Sequence, residues 1–107
     1  MKLDKVSIKR IARASIKTEC DDKRLYAEVT QTGTEYYEVE VTFDGKYPTA
    51  EAVIYVTQPE GKNAECLLTP VMKGAQLPTP YEALRTARVL EIAARIAIRL
   101  QREGRQR

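Results

Sequence analysis

The sequence has no histidine and no tryptophan, and it has only two cysteines and one phenylalanine. Without histidine there is no Ser-His-Asp or Cys-His nucleophile pair and no imidazole-ligated zinc. The side chain that most readily exchanges protons near neutral pH is missing too. The five glycines (Gly33, Gly45, Gly61, Gly74, Gly104) are scattered, so no glycine-rich phosphate loop is present. Cys20 and Cys66 have neither CxxC nor metal-ligand spacing; they are expected as buried thiols, with a long-range disulfide as the alternative. No apolar run approaches the roughly 20 residues of a membrane span, and "MKLDKVSIKR" lacks the apolar core of a signal peptide. A cytoplasmic protein without a membrane segment, metal or cofactor is therefore the expectation.

The 107 residues are 43% hydrophobic and 31% charged, the composition of a globular chain of one domain. The charged fraction and the single asparagine, Asn63, lean towards a thermophile. Charge is unevenly placed. Residues 1–18 carry six basic groups and one acidic; residues 19–80 carry five and eleven; residues 81–107 carry seven and three. An acidic middle thus lies between two basic ends, and partners respond to such local patches more than to the net +3.

Residues 24–72 read as antiparallel sheet. "LYAEVTQ" and "YYEVEVTF" alternate around the turn "TGT", with Tyr37, Val39, Val41 and Phe43 on one face. "AEAVIYVTQ" follows the turn "DGKYP", and "AECLLTPVM" follows "PEGKN", with Pro70 demoting the end of this last strand to an edge or a bulge. Residues 5–20 are ambiguous. As a strand, positions 6, 8, 12, 14, 16 and 20 are apolar; as a helix, Ile8, Ile11, Ala12 and Ile16 share a face. The period-2 count favours a strand whose hairpin through "DDKR" sets Cys20 against Leu25, Ile16 against Val29 and Lys17 against Glu28. The predicted fold is α+β: a meander of about five strands followed by one long C-terminal helix. A helical N-terminus, giving α-β-β-β-β-α, is the alternative.

The helix is marked at both ends. Thr79-Pro80-Tyr81-Glu82 has the form of a capping box with proline at the first helical position, and Gly104 stands at the C-cap before a basic tail, 104–107. Its 80–103 span is about 36 Å long, enough to overhang a compact sheet. Arg85, Arg88, Arg95, Arg99 and Arg102 form a stripe, extended by Arg105 in the tail. The apolar arc beside them is wider than one packing partner requires. Val89, Ile92, Ala93, Ile96 and Leu100 are accordingly the candidate helix interface.

These features predict a small non-enzymatic assembly module. It forms a homodimer, or serves as an accessory subunit on a protein partner, through the C-terminal helix. The arginines then meet an acidic surface, because arginine suits partly buried ion pairs. Glu28, Glu38 and Glu40, with Tyr26 and Tyr36, form a candidate acidic docking face. Carboxylates alone can perform acid–base chemistry, but here they alternate along strands in the manner of a solvated face. The alternative function is nucleic-acid binding by the arginine stripe. The aromatics that would stack bases lie outside that stripe, and no second helix gives helix-turn-helix spacing.

Overall fold

A computed structural model of the chain describes residues 1–20, 23–43, 51–71 and 79–106. The elements run α1 (Lys5–Glu19), β1 (Leu25–Gly33), β2 (Tyr36–Phe43), β3 (Glu51–Thr57), β4 (Glu65–Val71) and α2 (Pro80–Glu103). The fold is α+β. Among the described residues four strands form an antiparallel meander in the order β1-β2-β3-β4, followed by the long C-terminal helix. The expected turn at residues 44–48, the strand end at Met72 and Arg107 lie outside the described residues.

The N-terminal segment is a helix, which corrects the strand reading and reduces five strands to four. The reason is physical. Ile8, Ala12 and Ile16 are spaced by four, a spacing shared by the strand and helix periods, so they cannot discriminate between them. The deciding residues are Ile11 and Ser15, both buried on the same side of α1. Asp4 starts the helix: its Oδ1 accepts from the Ser7 main-chain N–H at 2.7 Å, while Ser7 Oγ accepts from the Asp4 N–H at 2.9 Å. Two orphan donors of the first turn are satisfied reciprocally. The expected hairpin pairings of Cys20, Ile16 and Lys17 are therefore not made, and among the described residues β1 pairs only with β2.

Both helices cover one face of the sheet. α1 packs over β1 and beside α2, and α2 lies over β3 and β4. The core gathers Ile8, Ile11, Ala12 and Ile16 from α1 and Leu25, Val39, Val41, Ile54 and Val56 from the sheet. Val89, Ile92, Ala93, Ile96, Ala97 and Leu100 complete it from α2. Among the described residues the other face of the sheet carries no helix.

Candidate interaction site

The long helix begins as its sequence demands. Thr79 Oγ1 accepts from the Glu82 N–H at 3.2 Å, Pro80 occupies the first turn, and Gly104 closes the far end with its N–H on the Leu100 carbonyl at 2.8 Å. Gly104 is required by space and not by a left-handed backbone, since its φ is −85°. A Cβ there would collide with the Ala64 side chain, whose own N–H donates to the Gly104 carbonyl at 2.8 Å.

The five candidate interface residues all face inward. Val89, Ile92, Ala93, Ile96 and Leu100 are fully buried against the chain's own sheet and α1. The structure thus uses them as core, and what α2 offers to solvent lies on its opposite side. Residues 80–85 and Ala87 are exposed, with Tyr81 at 85% and Leu84 at 70%. Further along the same side Ile98 is 54% exposed and Ala94 half-buried. Pro80, Leu84, Ala87, Glu91, Ala94 and Ile98 recur at spacings of 4-3-4-3-4, the a/d pattern of a coiled-coil seam.

Three arginines of the stripe are engaged within the chain. Arg88 donates from Nη1 to Glu91 at 2.8 Å and from Nη2 to the Glu19 carbonyl at 2.7 Å. Arg95 meets Glu91 at 3.3 Å and Glu19 at 3.4 Å. Arg99 reaches Glu103 at 3.9 Å. The Arg88 hydrogen bond, followed by that of Arg95, holds the Glu91 carboxyl below its ordinary pKa, and the same bond to Glu91 raises that of Arg88. Arg85, Arg102 and Arg105 are exposed and make no ion pair among the described residues.

Glu28, Glu38, Glu40, Tyr26 and Tyr36 do share the outer face of the sheet. Glu28 stands directly opposite Glu40, and Glu38 lies one row away opposite Thr30. The tyrosines are not brought together: Tyr26 pairs with Thr42 at one end of the ladder and Tyr36 with Gly33 at the other. Beside Glu38 the register instead places Tyr55 and then Leu67, the latter 76% exposed. That pair escapes a sequence reading because it depends on strand register. Strand alternation alone would have marked each as outward.

Cys20 and Cys66 are free thiols, both partly buried, and burial pushes the Cys66 thiol up to about 12. Among the described residues no group of three or more acidic or thiol side chains gathers where it could hold a metal ion. No described helix is long and apolar enough to cross a membrane. No known protein family, curated protein or solved structure matches the chain.

Proposed function

We propose that the protein is a non-enzymatic assembly module that self-associates through the solvent-facing seam of α2. The observation that carries this reading is the second apolar line of the helix. One side already seals the core, yet Leu84, Ala87, Ala94 and Ile98 continue at heptad spacing along the other. Large aliphatic side chains on a regular seam lose unfavourable contact with water when a matching helix covers them.

A second copy fits that seam in antiparallel fashion. With a two-fold axis beside Glu91, Leu84 of one copy meets Ile98 of the other, and Ala87 meets Ala94. The alanines permit close approach of the two backbones, and each contact occurs twice, as isologous pairing requires. Two copies of Glu91 then approach each other. Arg88 and Arg95 already hold each of these carboxylates, which tempers the repulsion. The phosphate-binding alternative is weaker on this geometry, because Arg88, Arg95 and Arg99 engage carboxylates of their own chain.

Light scattering across a concentration series tests the proposal. A dimer is expected, and Leu84→Glu or Ile98→Glu is expected to give a folded monomer with unchanged circular dichroism. A wild-type mass that stays monomeric at every concentration overturns the reading, as does a dimer indifferent to both substitutions.

A further inference from the structure

A groove of about 930 Å³ opens between α1 and β1, on the side of the molecule that the α2 seam does not use. One wall is a row of cations, Lys5, Lys9, Arg13 and Lys17, set every fourth residue along the helix. The other wall is β1, an outermost strand of the sheet, with Leu25 and Val29 contributing apolar lining. Like charges at that spacing oppose helix formation. None of the four has an ion-pair partner among the described residues, in contrast to Arg88, Arg95 and Arg99 on α2. Among the described residues the row is therefore uncompensated.

The two edges of the sheet are treated differently. On β4, Pro70 has no N–H to offer, and the Cys66 N–H donates to Gln101 Oε1 at 2.9 Å. On β1, residues 25–30 receive no hydrogen bond from outside the sheet among the described residues. Natural sheets commonly guard such an edge, because its free N–H and C=O groups template a further strand.

We propose that the groove is a docking site for an acidic, extended segment of a partner protein. The segment adds to β1 as a fifth strand, and its carboxylates pair with Lys5, Lys9, Arg13 and Lys17. The repeats agree. Four helical residues advance about 6.0 Å and two strand residues about 6.8 Å. Across the whole row of about 18 Å the two drift apart by only about 2 Å, well within the reach of lysine and arginine side chains. Main-chain bonds supply the affinity of such strand addition, and the alternating side chains supply its selectivity.

Charge selects the occupant. A second copy joined edge to edge through β1 would bring two cationic rows together, so the row disfavours self-pairing. A nucleic acid would satisfy the cations but leave the β1 edge unpaired. An acidic strand satisfies both walls. The proposal does not depend on how copies assemble through α2, and a monomeric variant is equally suited to testing it.

The probe is a fluorescent peptide of about eight residues alternating Glu with Thr, a typical strand length. Its binding is followed by anisotropy at low salt and by amide chemical shifts of the full chain. Binding is expected, with the largest shifts at residues 25–30. Affinity is expected to fall at least tenfold for Lys9→Ala/Arg13→Ala, and at least tenfold for the same peptide N-methylated at the residues whose N–H faces β1. Equal affinity of the methylated peptide reduces the contact to bare charge attraction and overturns strand addition. Shifts confined to other regions, or no peptide binding, overturn the site itself. A labelled oligonucleotide that binds where the peptide does not would identify the groove as a phosphate site and overturn the proposal.

Discussion

Arg88 donates from Nη2 to the main-chain carbonyl of Glu19 at 2.7 Å, so a side chain from the middle of α2 satisfies the last turn of α1. The bond joins elements 69 positions apart and places a cation where the α1 dipole is negative. Arg88 is thus a structural arginine as well as a charged one. Arg88→Lys keeps the charge but cannot reach Glu91 and the Glu19 carbonyl together, because lysine lacks the planar fork. Its Tm is expected to fall by several degrees in thermal denaturation, whereas Arg85→Lys, in the exposed first turns, leaves Tm unchanged.

The two sides of α2 separate experimentally. Ile92→Ala or Ile96→Ala removes a fully buried side chain and is expected to cost about 2–5 kcal/mol of folding stability in urea denaturation. Leu84→Ala, at 70% exposure, is expected to stay within about 0.5 kcal/mol for the monomer while weakening self-association. If the Leu84 variant unfolded as readily as the Ile92 variant, the assignment of the two faces would be wrong.

How much of this could be read in the chain depended on whether the signal was local. Thr79, Pro80 and Gly104 act within one turn, and they bounded α2 at 80–103 correctly. Strand alternation likewise set Tyr37, Val39 and Val41 on one face, and that face is the buried one, because each strand carries its own period. The N-terminus misled because Ile8, Ala12 and Ile16 fit either period. Asp4 and Ser7, which start the helix, form a capping box with serine in the place usually held by glutamate or glutamine. An apolar arc of α2 too wide for one partner was legible, though its division into two sides was not. Nor was the side that meets the sheet, since that depends on the approach of elements distant in sequence. The groove beside β1 became visible only once α1 was a helix, because a helix turns Lys5, Lys9, Arg13 and Lys17 into one row.

Gln58 is the least legible residue, a polar side chain 2% exposed at the end of β3. Its Oε1 accepts from the Leu3 N–H at 2.7 Å, and its Nε2 donates to the Met1 and Gly104 carbonyls at 3.1 Å each. One amide therefore fastens the N-terminus, the sheet and the end of α2. Gln58→Met preserves much of the volume but orphans the buried Leu3 N–H, while the Gly104 carbonyl keeps its bond from the Ala64 N–H. The expected loss is about 1–3 kcal/mol, with hydrogen exchange at Leu3 accelerated before the amides of β2. An unchanged Leu3 amide would show that another partner serves it.

Acid should loosen the molecule at Asp4. The Ser7 main-chain bond, with the Ser7 hydroxyl second, holds the Asp4 carboxyl below its ordinary range. A carboxylate whose folded pKa is depressed stabilises the fold above its unfolded pKa, and that contribution is lost as pH falls through the folded value. The window therefore lies at and below the ordinary aspartate value near 3.8. Asp4→Asn keeps an N-cap acceptor for the Ser7 N–H but has no proton to gain. Its stability is expected to vary less with acidification than that of the wild type when Tm is measured between pH 6 and about pH 2. Asp4→Ala is expected to lie below both at neutral pH, with α1 amides exchanging faster. If Asp4→Asn and the wild type lost stability in parallel, the acid sensitivity would belong to other carboxylates, Glu91 first among them, because its pKa is lowered by Arg88 and Arg95.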